Sequence, residues 1–138
     1  MSADNLAGCA EVARSINIPV ASGENNHTRY EFRELIESHA VRYVQPDVGR
    51  ANGFSETLRI GRLAGAHDVL ISPHLVHELS VQVAGALDNA FAVELVDWTP
   101  DDLFVGMPVL EDGYFQLTDR LGHGIELHPD AERRYGQK

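Results

Sequence analysis

The chain has 138 residues and a mass of 15.2 kDa, which limits it to one domain. Its formal charge is −10, from 11 Lys plus Arg against 21 Asp plus Glu, and that sign argues against nucleic acid or an anionic membrane as the main partner. Cys9 is the single cysteine, so no internal disulfide forms; no apolar run approaches the roughly 20 residues that span a bilayer, and Asp4 stands where a signal peptide would carry basic residues, which together read as a cytoplasmic protein.

Leu6, Ala10, Ala13 and Ile16 recur at three- and four-residue spacing and predict a first helix. The branched run Ile18-Pro19-Val20-Ala21 is too short for a helix and reads as a strand. After the polar break Gly23-Glu24-Asn25-Asn26-His27, Thr28 and Glu31 form a capping-box pattern that opens a second helix, with Phe32, Leu35 and Ile36 as its buried stripe. Tyr43-Val44 is the next strand and ends in Gln45-Pro46-Asp47. Ser55 can cap a third helix that carries Ile60, Leu63 and Ala64 on one face. Val69-Leu70-Ile71 is a third strand, ending in Ser72-Pro73-His74. Val76, Leu79, Val83 and Leu87 mark a fourth helix, and Phe91-Ala92-Val93 a fourth strand ending in Glu94. Gly61 and Gly65 suggest close packing of the third helix.

Strands that alternate with helices imply βαβ crossovers and a parallel sheet, so the class is α/β. From Asp97 the character changes: Pro100, Pro108 and Pro129 appear among several glycines, and Asp112-Gly113 is a hairpin signal. The expected organisation is residues 1–96 as alternating helices and strands, with 97–138 as an extended tail packed on them in one structural domain.

Glu24, Asp47, His74 and Glu94 stand directly after, or at the end of, the four expected strands. Each gap between them is about one strand-loop-helix-loop unit. In a parallel barrel the C-terminal strand ends converge on one face, where catalytic residues sit. Singly, each has a plainer reading. Glu24 after a glycine suits a solvated turn, Asp47 after a proline suits a turn or cap, and His74 suits a hydrogen bonder at a helix start. Glu94 lies in an apolar run, where a carboxyl is costly unless paired or protonated. Their equivalent positions in successive units favour a shared pocket.

Gly23-Glu24-Asn25, Gln45-Pro46-Asp47, Gly53-Phe54-Ser55-Glu56, Pro73-His74 and Val93-Glu94, in this order, resemble the C-terminal half of the mandelate racemase/muconate lactonising group of the enolase superfamily. The stretch from Val20 to about Trp98 is most similar to its acid-sugar dehydratases. The closing Arg120-Leu121-Gly122-His123-Gly124-Ile125-Glu126 resembles that group's glycine-rich ending, with Leu121 and His123 departing from it. The resemblance implies the C-terminal half of a TIM-type (β/α) barrel, about four parallel strands alternating with helices, plus the irregular tail. It implies Mg²⁺ bound by carboxylates on three successive strands, with Glu24 the last of them. It implies a His74–Asp47 dyad that removes the proton beside a substrate carboxylate, and Glu94 as hydrogen-bond donor to that carboxylate. The chemistry suits the residues: Mg²⁺ prefers oxygen donors, a carboxylate orients an imidazole, and a desolvated Glu94 keeps its proton.

The group's capping domain, Lys pair and two earlier metal carboxylates have no counterpart in the chain, so the expectation is a truncated dehydratase inactive alone. A small sugar-acid carboxylate is then the substrate once complemented by a second copy or a separate N-terminal half; the alternative is a self-associating half-barrel with no turnover. A racemase uses much the same dyad and needs a second base. His74-Leu75-Val76-His77-Glu78 has the order H-x-x-H-E rather than that of zinc proteases. Cys9 reads as a small buried residue and Trp98 as a packing residue. His27 and Arg50, in the first two polar breaks, read as solvated loop residues that can also face the pocket.

Overall fold

A computed structural model of the protein describes residues 2, 4–96, 98–100 and 102–136. Asp97, where the sequence changes character, lies outside the described residues. Helix α1 (Leu6–Ser15) starts on Asn5, whose side chain accepts from the Gly8 N–H. Strand β1 (Ala21–Ser22) begins later than the apolar run suggests, because Pro19 has no N–H to offer a ladder. Helix α2 (Arg29–Glu37) opens on the expected capping box: Glu31 accepts from the N–H groups of Thr28 and His27, both at 2.8 Å. Those N–H groups hold its carboxyl below the ordinary range, that of His27 contributing most.

Strand β2 (Tyr43–Val44) and strand β3 (Leu70–Ile71) complete a parallel sheet in the order β1-β2-β3. Ala21, Tyr43 and Leu70 share one register row, and Ser22, Val44 and Ile71 the next. The expected fourth strand runs beside β3 but is held by a bridge between Ile71 and Ala90 and by the Phe91 N–H on the Ile71 carbonyl at 2.8 Å. Between β2 and β3, helix α3 (Gly53–Ala66) starts on Asn52, in the left-handed conformation at φ 58°, and not on Ser55. Asn and Gly tolerate that conformation, so Asn52-Gly53 sets the boundary before Ser55 is reached. Helix α4 (His77–Gly85) follows β3.

Successive strand residues point to opposite faces. Val44 and Ile71 face α2 and α3, where they join Phe32, Leu35, Ile36, Ile60 and Ala64 in the buried core. Cys9 lies half-buried at its rim. Gly61 packs under the Leu87 side chain, the close approach its position suggests. Tyr43 faces the other way and meets the Phe91 ring at 4.7 Å between centroids. Phe91 is nevertheless 62% exposed, so that face of the sheet is open.

The tail forms strand β4 (Phe104–Val105), the hairpin strands β5 (Val109–Glu111) and β6 (Tyr114–Gln116), and strand β7 (Glu126–Leu127). β4 pairs antiparallel with β7, and β5 with β6 across the Asp112-Gly113 turn, where both residues have positive φ. A short helix α5 (Ala131–Tyr135) ends the described chain. Beyond the extended segments and turns expected of the tail, a helix starts after Asp130, and Arg134 pairs with Asp102 at 2.6 Å. Tyr135 donates to the same carboxylate. The tail meets α4 where Phe115 stacks on His77 and Thr99 bonds Glu78. Trp98 does not pack as expected and is 74% exposed. No helix among the described residues is long and apolar enough to cross a membrane.

Helices α2 and α3 are tied by one carboxylate. Glu56 accepts from the Arg29 N–H at 3.1 Å, from the Arg29 guanidinium at 2.7 and 3.0 Å, and from Arg59 at 3.2 Å. The Arg29 N–H is the main cause that holds its carboxyl below the ordinary value of 4.5, with Arg59 and the Arg29 charge adding to it. A lowered folded-state value means stability present above pH 4.5 and lost as pH falls through the folded-state value. Glu56→Gln is expected to cost about 1 kcal/mol at pH 7. In urea unfolding over a pH series, its difference from the parent should shrink below pH 4.5; a constant difference would refute the assignment.

Candidate active site

The parallel register decides what meets at the strand ends. Asp47 and His74 form a parallel bridge with the same offset that pairs Tyr43 with Leu70. Pro46 and Pro73, both buried, precede them. The residue before a proline is driven toward extended backbone, so Gln45 and Ser72 carry the strands outward past the last ladder pairs. The His74 N–H then donates to the Pro46 carbonyl at 3.1 Å.

Asp47 is buried, and its two oxygens have separate tasks. Oδ1 accepts from the N–H groups of Gly49 (2.8 Å) and Arg50 (3.1 Å), an Asx-type turn that fixes the carboxylate. Oδ2 faces His74 Nδ1 at 3.3 Å. A carboxylate only accepts, so the ring hydrogen is assigned to Nδ1 in the neutral tautomer. Nε2 then carries the lone pair. It lies 3.8 Å from Glu94 Oε2, and the ring is one-fifth exposed. A positive charge that develops on His74 thus faces a carboxylate on either side.

Glu94 is less enclosed than its apolar surroundings in sequence suggest. Its side chain is 38% exposed, so the desolvation expected of it is not met within this chain. Its Oε2 accepts from the Leu75 N–H at 3.0 Å. Leu75 and Val76 both have left-handed backbone, at φ 47° and 40°. Two such residues outside glycine, one of them β-branched, cost on the order of 1–3 kcal/mol each. Side chains hold both polar groups of Leu75: Glu94 takes its N–H, and the wholly buried Ser80 donates from Oγ to its carbonyl at 2.9 Å. The sequence reading passed over Ser80. Its signal was a lone hydroxyl four residues after Val76 and three before Val83, inside the apolar stripe of α4.

Glu24 follows Gly23, whose φ of +128° breaks the alternation of β1. A Cβ there would also meet the Phe32 ring at 2.6 Å. Among the described residues Glu24 makes no hydrogen bond or ion pair with Asp47, His74 or Glu94. It is linked to them through Arg50, whose guanidinium donates to the Glu24 carbonyl (3.2 Å) and to Asn25 Oδ1 (2.8 Å). The Arg50 carbonyl accepts from His27 Nδ1 at 3.1 Å. His27 and Arg50 therefore lace the loops after β1 and β2 together.

Among the described residues no group of three or more His, Cys, Asp or Glu side chains is arranged to hold a metal ion. The donors of this chain alone do not make a Mg²⁺ site, since Glu24 offers one carboxylate and the ion calls for near-octahedral oxygen coordination. An apolar cavity of about 520 Å³ lies elsewhere, between α4, the run 90–95 and the β5–β6 hairpin, lined by Val81, Phe91, Phe115 and Leu117.

Parallel strands alternating with helices, with polar side chains gathered at their C-terminal ends, are the arrangement of an α/β protein of the (β/α) barrel kind, which places its chemistry there. The chain belongs to the enolase C-terminal domain-like family, which its residues 1–131 match. It is 29% identical over 130 residues to a 3,6-anhydro-alpha-L-galactonate cycloisomerase of Streptomyces coelicolor, covering 94% of this chain and 36% of that protein. It is 32% identical over 133 residues to an L-talarate/galactarate dehydratase of Salmonella typhimurium, covering 96% and 33%. The crystal structure of L-talarate dehydratase from Polaromonas sp. JS666, complexed with Mg and L-glucarate, superposes with a TM-score of 0.87 at 29% identity, over 96% of this chain and 37% of that one. The chain spans about a third of the length of the curated relatives it matches.

In Asp47→Asn the amide oxygen can still accept from Gly49 and Arg50, so folding should persist while the partner that selects the ring tautomer is lost. The amide NH₂ now faces Nδ1 and can only donate to it, so long-range ¹H–¹⁵N spectra of the His74 ring at high pH should move from the Nδ1–H pattern to the Nε2–H pattern. An unchanged pattern would mean that Asp47 does not set the tautomer.

Proposed function

We propose that the chain carries the proton-transfer part of a sugar-acid dehydratase and acts once a second copy or a separate N-terminal half closes the barrel and brings further oxygen donors. The observation that carries this reading is the His74 ring, oriented through Nδ1 by a buried Asp47 and open at Nε2 beside Glu94. The similarity to an L-talarate/galactarate dehydratase supports the substrate class.

His74 Nε2 takes the proton from the carbon next to the substrate carboxylate, and the C–H electron pair passes into the carboxylate as an enediolate. Asp47 steadies the imidazolium that results. The enediolate pair then forms a carbon–carbon double bond as the neighbouring C–O bond breaks, and the hydroxyl leaves as water with the proton returned by His74. The enol product becomes a 2-keto acid. Glu94 faces the same space; with Oε2 occupied by the Leu75 N–H, its Oε1 is the atom that would donate to the substrate carboxylate once that carboxyl is enclosed and takes up a proton. Were Mg²⁺ held there with donors from the complementing half, Glu24 would supply one of its oxygen ligands, and the ion would supply stabilisation of the enediolate charge. Residues 1–96 and 97–138 act as one structural domain in a cytoplasmic protein.

The second reading, a self-associating unit without turnover, draws on the exposed Phe91 and Leu95, which share one apolar cavity. Light scattering on the purified chain tests the association itself: a defined dimer near twice 15.2 kDa is the expected mass, and a clean monomer would count against the self-associating unit. Calorimetry is expected to give a Mg²⁺ constant no tighter than roughly millimolar, since one carboxylate rarely displaces the ion's water.

The decisive experiment is substrate proton exchange in ²H₂O. The chain, with a complementing half carrying the other metal carboxylates, is expected to exchange the α-proton of a sugar acid. His74→Asn should abolish that exchange, and persistence of exchange would remove His74 as the base.

A further inference from the structure

His74 is followed by a backbone that no ordinary residue favours, and the structure shows what holds it. Leu75 and Val76 are both left-handed, and α4 begins at once with His77. The chain reverses between the bridge at His74 and the helix in two residues. Leu75 stands at the centre, and neither of its polar groups is spent on the sheet ladder. Its N–H goes to Glu94 Oε2 at 3.0 Å and its carbonyl takes the Ser80 hydroxyl at 2.9 Å.

Ser80 is 0% exposed and its own N–H bonds the Val76 carbonyl at 2.9 Å. It therefore spans the reversed pair, with its backbone on Val76 and its side chain on Leu75. A Ser inside a helix more often bonds the carbonyl three or four residues back; here the hydroxyl reaches five residues back to Leu75, outside the helix. The clamp closes on the peptide that immediately follows His74, and its other jaw is the Glu94 carboxylate.

We infer that Ser80 is a positioning residue: by holding Leu75 left-handed it sets the direction of the His74 ring toward Asp47 and keeps Glu94 opposite Nε2. This rests on the reading of His74 as the base, but its test needs no turnover. The groups that face His74 are Asp47 from the end of β2 and Glu94 from the run after α4, so a tilt of the ring changes its distance to both.

The test is NMR on the ¹⁵N-labelled chain, comparing the parent with Ser80→Ala and with Ser80→Ala combined with Leu75→Asn. Ser80→Ala removes the hydroxyl with little change of volume. Exchange of the Leu75 amide with solvent should quicken at least tenfold, and the ring signals of His74 should shift, while the amides of Val44 and Ile71 stay as protected as in the parent. Asparagine accepts left-handed backbone more readily than leucine. The double variant should therefore return the His74 signals toward the parent, a rescue that a merely structural serine would not show. If Ser80→Ala does not fold, Ser80→Cys, near in size and a weak donor, serves in its place with the same expectations. Unchanged Leu75 and His74 signals in a folded variant would overturn the inference, as would loss of protection spread evenly through the sheet. Neither outcome touches the proton-exchange result for His74→Asn, so the two ideas fail separately.

Discussion

The parallel offset between β2 and β3 is the constraint on which the candidate site depends. It pairs Tyr43 with Leu70 inside the sheet and is still in force at Asp47 and His74 beyond it. A slip of one residue would send Asp47 to the other face of the sheet. The offset is fixed from behind, where Val44 and Ile71 are wholly buried against α2 and α3. Core packing on one face of the sheet thus dictates which polar groups meet at its end.

What the register delivers, local hydrogen bonds then fix. Asp47 is buried yet keeps both oxygens engaged, one by backbone and one by the imidazole. A buried carboxylate left half satisfied would be costly, so the Gly49 and Arg50 N–H groups are part of what makes the buried Asp47 tolerable. Arg50 carries the effect further, since the same residue whose N–H holds Asp47 grips the Glu24 loop with its guanidinium. The loops after β1 and β2 are therefore not independent. The loop after β3 follows a different plan: its strained pair is held by Ser80 and Glu94, both from elements later in the chain.

The order of elements and the placing of Asp47, His74 and Glu94 were legible in the sequence, because each lies one short step beyond a branched apolar run and the runs recur at unit spacing. The capping box at Thr28 and Glu31 was legible for the same reason, being local chemistry with one geometric outcome. Boundaries set by backbone sign were harder. Asn52 starts α3 in a left-handed conformation that Ser55, an equally good cap by type, concealed. The clamp at Leu75 was not legible at all, since neither Leu nor Val advertises positive φ and Ser80 acts through a tertiary contact. The enclosure expected of Glu94 followed from its apolar neighbours in sequence, but enclosure is a property of what packs over a group. Here Phe91 and Glu94 both remain open.

That openness bears on charge. The strand ends gather the carboxylates of Asp47 and Glu94, with Glu24 on the adjoining loop, in a chain of formal charge −10. The Arg50 guanidinium is turned to a carbonyl and an amide oxygen of the loop after β1 rather than to a carboxylate. An anionic substrate that approached this surface would meet repulsion of the same sign, strongest where water is excluded. The proton chemistry of His74 needs a substrate carboxylate within reach, so the proposed activity requires positive charge brought to the Glu24 side of the site. In the proposed reaction, then, the groups that orient the base do not also supply the positive charge that would hold the acid.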